Sequence, residues 1–153
     1  MRTIVNNPLP PWHLESVGQD PVPDYATFQG KPLLILFFYL GCPGCLGRAI
    51  PFANRMAYEH NDEINVVGIH SNFEGREYTD KEIAAHLKAL YVRFPVFRDS
   101  GLATTFYDYQ AGGTPHWVLV NKNGQVIQSI FGSDPNRALL RLDYAIAEEL
   151  AVA

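Results

Sequence analysis

Cysteine is scarce in this chain: 153 residues hold two. Small secreted proteins with disulfide frameworks use several cysteines at long spacings, so a lone Cys42-Pro43-Gly44-Cys45 cluster argues against that class. Long apolar runs are missing as well. The longest, Leu33 to Leu40, covers eight residues, whereas a membrane-spanning helix needs about 20, so it reads as a buried strand. Positive charge is in deficit too, with a formal net charge of −4. That leaves no basic stripe to neutralise a row of phosphates and argues against nucleic acid as a partner. Met1 to Pro8 carries one positive charge but no following apolar segment and no small-residue cleavage site. The chain as given is therefore expected in the cytoplasm, or in the periplasm or at a membrane anchor if an amino-terminal signal has been removed.

What remains is the composition of a globular protein, with 47% hydrophobic residues and a length suited to one core. Residues 6 to 32 are interrupted by Pro8, Pro10, Pro11, Pro21, Pro23 and Pro32 and lack sustained periodicity. Residues 1–27 are accordingly read as an extended lead-in, containing at most a short strand, packed on a domain of residues 28–153. Leu33 to Tyr39 is apolar on both faces, as a central strand covered by helices should be. From Pro43 to about His60 the pattern is helical, with Leu46, Ala49, Ile50, Ala53 and Ala57 on one face and Pro51 expected to kink the helix.

Ile64 to Ile69 reads as a second strand of parallel character. Thr79-Asp80-Lys81-Glu82 has the form of a capping box, followed by Ile83, Leu87 and Leu90 at helical spacing. Val96 to Arg98 is a short strand, and Leu102 to Tyr107 one or two helical turns. His116–Val120 and Gln125–Phe131 are strands joined by Asn121-Lys122-Asn123-Gly124, a strong hairpin signal. Asp134 and Pro135 are expected to open a last helix reaching about Leu150. This alternation predicts an α/β fold: a mixed sheet with a parallel part made by crossovers and an antiparallel hairpin at one side.

The two cysteines stand where a buried strand meets a helix. There the Cys42 sulfur faces the unpaired N–H groups and positive dipole end of the helix, which stabilise a thiolate. The thiolate is the nucleophile of disulfide exchange, and such contexts lower a cysteine pKa from about 8.5 into a range of roughly 3.5–7.5. Cys42 is the expected attacker. Cys45, one turn on and directed toward the core, is the expected resolving thiol. Pro43 suits a first helical position, and Gly44 is read as leaving room for a docking chain. Two blander readings stay open, inert buried cysteines and half of a zinc site. The latter lacks a second paired cluster among His13, His60, His70, His86 and His116.

These residues resemble the thioredoxin superfamily, most closely the TlpA and ResA type disulfide reductases, with AhpC/TSA redoxins as further relatives. The resemblance rests on the strand-to-helix placement of Cys42-Pro43-Gly44-Cys45, on Gly112-Gly113-Thr114-Pro115 before a strand, and on Asn121-Lys122-Asn123-Gly124 in the following hairpin. It spans roughly residues 28 to 150. It implies a thioredoxin fold with an amino-terminal extension and an inserted helix. It also implies a cis Thr114–Pro115 bond beside the dithiol, with Thr114 pairing to an incoming substrate strand. The implied activity is thiol–disulfide oxidoreduction, more as reductase than oxidase, with protein thiols or disulfides as partners. The implied electron source is a thioredoxin reductase-like or other dithiol protein. No cofactor and no metal are called for.

Several positions depart from the family pattern. Gly41 stands where members commonly have Trp, Leu36 where thioredoxins keep a buried Asp, and Arg48 where ResA-like proteins carry Glu. Pro51 lies six residues after Cys45 where the family usually has five. No internal carboxylate is left to take the Cys45 proton. Arg48 is either a solvated helix residue or a cation assisting the thiolate, and His116 points either to the far face of the sheet or to the site's rim. Two rival functions remain. A peroxiredoxin-type thiol peroxidase calls for Thr or Ser three residues before the reactive cysteine, where Tyr39 stands. A thioredoxin-like binding module would work without turnover.

Overall fold

A computed structural model describes residues 4–18 and 21–151. Among these, six strands form one sheet: β1 (Leu14–Ser16), β2 (Leu33–Phe38), β3 (Asn65–His70), β4 (Val96–Asp99), β5 (His116–Val120) and β6 (Val126–Phe131). The helices are α1 (Ile50–Glu59), α2 (Asp80–Ala89), α3 (Thr104–Asp108) and α4 (Ala138–Ala151). Strand order is β1-β4-β3-β2-β5-β6. β2, β3 and β4 run parallel, while β5, β6 and the edge strand β1 are antiparallel to their neighbours. This is the mixed sheet flanked by helices of the thioredoxin fold.

All six side chains of β2 are buried because alternate residues feed different cores. Leu34, Leu36 and Phe38 meet α1 and α4 through Ala53, Met56, Leu142 and Ile146. Leu33, Ile35 and Phe37 meet Phe106, Tyr109 and the amino-terminal segment. Each such side chain stabilises the fold by about 1.5–3 kcal/mol relative to exposure. The lead-in covers this second face directly, with the Trp12 ring against Tyr25 and Phe28 and the Tyr109 hydroxyl donating to the Pro10 carbonyl at 2.6 Å.

The capping box forms at the start of α2: Glu82 N–H donates to Thr79 Oγ1 at 3.1 Å and Thr79 N–H to Glu82 Oε1 at 3.0 Å. In the hairpin, Gly124 sits at φ +85°, where a side chain would be strained. The last helix begins later than the sequence pattern predicts. Asp134 Oδ1 accepts from Asn136 N–H at 2.8 Å and caps a turn over residues 135–137 that leads straight into the regular helix, which starts only at Ala138. The short side chain of Asp competes for nearby amides in turns as readily as at helix starts.

Candidate functional site: a dithiol at the end of the central strand

β2 runs out at Phe38, and the chain turns at once. Cys42 N–H donates to the Tyr39 carbonyl at 3.0 Å, closing a turn over Leu40 and Gly41. The helical segment then starts at the dithiol itself. Cys45 N–H lies 3.1 Å from the Cys42 carbonyl and 3.3 Å from Cys42 Sγ, so an amide of the first turn points at the sulfur. Both thiols are free; Cys42 is half-buried and Cys45 fully buried. Burial raises the Cys45 thiol pKa well above its ordinary value, and the adjacent Cys42 adds to the rise. The Tyr39 backbone and the Thr114 side chain act in the opposite direction.

The Gly112–Pro115 loop stands over the same turn. The Thr114–Pro115 peptide is cis, and the Cys42 thiol lies 3.5 Å from the Thr114 carbonyl, its acceptor. Sequence-distant Cys42, Cys45, Thr114 and Pro115 are thus brought together. Gly44 also serves a contact within the fold. A β-carbon there would stand 3.0 Å from Ser133 Oγ and 3.9 Å from Pro115 Cδ, so glycine lets the helix start approach the loop after β6.

Cys45 does not enter an α-helix directly. Residues Cys45–Ala49 form a π-helical stretch in which Ile50 N–H reaches back to the Cys45 carbonyl, and α1 follows with Pro51 in its first turn. The π-turn holds one more residue than an α-turn. It absorbs the extra position between Cys45 and Pro51, and the proline, which has no N–H to give, falls where the geometry changes rather than inside a regular helix.

An open groove of about 490 Å³ runs past Cys42 and Pro43, lined by Tyr39, Phe73, Glu74, Thr114 and Phe131. Phe131 is 62% exposed, and its ring lies against Gly113. Tyr39 explains the missing tryptophan at position 41: a β-carbon there would be 2.5 Å from Tyr39 Cε2. Arg48 is exposed on the helical surface beside a separate groove with Pro51, Phe52 and Arg55. His116 is 6% exposed and faces away from the dithiol, toward Phe37, with Nε2 2.9 Å from Ser129 Oγ. Burial lowers its pKa to about 4. Below the dithiol, Trp117 packs edge-on to Phe52 and donates its indole N–H to the Gly132 carbonyl at 2.9 Å.

Sequence reasoning missed His70. It ends β3 beside Phe38, and its Nε2 lies 3.2 Å from Leu40 N–H. The contact spans thirty residues of chain, so no local pattern announces it; only the placement of a histidine at the end of a strand next to the dithiol strand could have drawn attention.

The Redoxin family model matches residues 4–146. Among solved structures, the thioredoxin-like superfamily protein SPOA0173 is 29% identical, with 95% of this chain and 97% of that one covered at a TM-score of 0.83. A thiol-disulfide isomerase from Corynebacterium glutamicum is 23% identical at a TM-score of 0.81, covering 95% of this chain and 98% of that one. A thiol:disulfide interchange protein of the thioredoxin family from Chlorobium tepidum is 22% identical at 0.75, covering 95% and 98%. No curated protein matches the chain. Among the described residues no helix is long and apolar enough to cross a membrane.

Proposed function

This chain belongs to the Redoxin family, within the thioredoxin superfamily, and from that premise we propose that it is a thiol–disulfide oxidoreductase acting on disulfides of protein partners. Cys42 is the nucleophile, Cys45 the resolving thiol, and Pro43, Gly44, Thr114 and Pro115 form the surface that meets the substrate. The observation that carries this reading is the Cys45 amide aimed at Cys42 Sγ at 3.3 Å, at the start of the helical segment. A thiolate at that position accepts a charge-assisted hydrogen bond from this amide, which it shares with the Cys42 carbonyl.

In the reaction, the Cys42 thiolate attacks one sulfur of the partner disulfide. The partner S–S bond breaks, a mixed disulfide forms, and the released thiolate takes up a proton. Cys45 then attacks Cys42 Sγ, expelling the second partner sulfur, which accepts the Cys45 proton. Two electrons pass from the dithiol to the partner, and a second dithiol protein restores the reduced pair. The direction we propose is reduction. In a reducing compartment the pair rests as the dithiol, with two electrons to give to a partner disulfide. We take residues 1–27 as a lead-in to this one redox domain of residues 28–153.

Cys42→Ser is expected to abolish insulin and DTNB reduction, while Cys45→Ser accumulates mixed disulfides with partner proteins. Full reductase activity in both variants overturns the assignment. Equilibration with glutathione checks the direction: a potential near about −270 mV supports a reductase and one near about −120 mV an oxidase.

A further inference from the structure

The Leu40 amide lies at the end of a central strand, inside the turn that delivers Cys42. The Tyr39 carbonyl takes the Cys42 amide, which leaves Leu40 N–H as the inner donor of the turn, with no backbone acceptor among the described residues. Leu40 is 5% exposed, and a buried amide needs a partner. The acceptor is a side chain, the Nε2 of His70 at 3.2 Å.

We propose that His70 is a positioning residue for the dithiol: its neutral imidazole, accepting from Leu40 N–H, fixes the Tyr39–Cys42 turn and so holds Cys42 Sγ in line with the Cys45 amide. This role rests on the reading of Cys42 as nucleophile. An acceptor at Nε2 requires the proton on Nδ1. The surroundings keep the ring uncharged and in place. His70 is 3% exposed and enclosed by the rings of Phe38 at 5.3 Å, Tyr39 at 5.5 Å and Tyr78 at 6.0 Å between centroids.

The charged groups facing it come from two strands and from the loop before α2. Arg98 of β4 is the cation, paired with Asp80 at 3.0 Å. Asp99 of β4, Glu15 of β1 and Glu77 border the adjoining cavity of about 210 Å³, which His70 also lines. Burial first and Arg98 second lower the imidazole pKa to about 4, so the acceptor form persists through the pH range of thiol exchange. An imidazolium would present a donor to a donor and break the contact.

Two measurements test the role. In the reduced wild-type protein, imidazole 15N shifts are expected to show the Nδ1–H tautomer with Nε2 unprotonated at pH 7. An Nε2–H tautomer overturns the proposal, and this readout needs no variant to fold. In the second, Cys42 alkylation by iodoacetamide is followed from pH 5 to 9. His70→Leu is expected to slow it at least fivefold at pH 7, and His70→Gln, which offers an uncharged acceptor at similar reach, to restore it to within twofold of wild type. Wild-type kinetics in His70→Leu overturn the proposal, as does equal impairment of both variants, which would mean that only the ring's packing matters. If Cys42 in the wild type reacts no faster than Cys45, the nucleophile assignment fails, while the tautomer result still reports on the turn.

Discussion

A β-carbon at position 41 would stand 2.5 Å from Tyr39 Cε2, and that ring is held by its hydroxyl, which donates to the Arg76 carbonyl at 2.6 Å. Gly75, at φ +78°, lies beneath the same hydroxyl. The tryptophan expected beside the first cysteine is thus replaced by an aromatic ring from two residues earlier, and glycine is the consequence. Gly41→Ala is expected to cost about 1–3 kcal/mol in urea unfolding, the usual penalty of overpacking. In a Tyr39→Leu background the added cost should fall below about 0.5 kcal/mol, since the two positions compete for one space. Phe131 makes the opposite case. It is 62% exposed beside the dithiol groove, so Phe131→Ala should change stability by no more than about 0.5 kcal/mol. Covering the exposed ring with a partner is worth on the order of 1 kcal/mol. The variant is therefore expected to lose several-fold in kcat/KM on a protein disulfide while keeping its rate on hydroxyethyl disulfide. Cys42, Cys45, Thr114 and Pro115 are legible in the sequence because their types and local settings are distinctive. His70, Tyr39 and Phe131 are not, because the placement of each depends on residues far along the chain: Leu40 for His70, Arg76 for Tyr39 and Gly113 for Phe131.

Elements set by local chemistry are the ones the sequence discloses. The capping box of α2 and the turn at Asn121–Gly124 each depend on a few consecutive residues, and both form as the pattern predicts. Thr79→Ala should lower stability by about 0.5–2 kcal/mol, read by thermal or urea unfolding. Its partner Glu82 carries a pH signature. The Arg76 guanidinium and then the Thr79 amide hold its carboxyl pKa down to about 2. A depressed carboxylate stabilises the fold above its unfolded pKa, and that contribution disappears as pH falls from about 4.5 to 2. Glu82→Gln should therefore destabilise at pH 6 and be neutral near pH 2. The π-turn at Cys45–Ala49 escapes sequence reading, and the edge strand β1 is foreseen only as one short strand somewhere in residues 6–32, for a shared reason. The first depends on how one surplus residue is fitted between a fixed sulfur and a packed helix. The second, only Leu14–Ser16, is defined by its pairing with Asp99, Arg98 and Phe97.

At the scale of the whole molecule, the two faces of the sheet each bury a neutral histidine near the dithiol end. His70 contacts Phe38, of the core beneath α1, and His116 contacts Phe37, of the opposite core. Burial lowers both pKa values to about 4, with Arg98 reinforcing the shift at His70. The unfolded chain binds these protons near pH 6.5 and the folded chain only near 4. Between those values the unfolded state carries more protons, so stability rises with pH and is lost on acidification. The size is on the order of a few kcal/mol per histidine. Asp99 works against this trend. Burial raises its carboxyl pKa although Ser71, Thr105 and Phe106 donate to it, so its proton uptake favours the folded state. Two imidazoles act together between pH 6.5 and 4 and should set the sign of the dependence between pH 6.5 and 5. Urea midpoints are expected to fall steadily across that window in the wild type. His116→Gln and His70→Gln should each remove part of the slope, and the double variant should be nearly flat there. A wild-type midpoint independent of pH from 6.5 to 4.5 would mean that both rings are reached by water and charge freely in the native state.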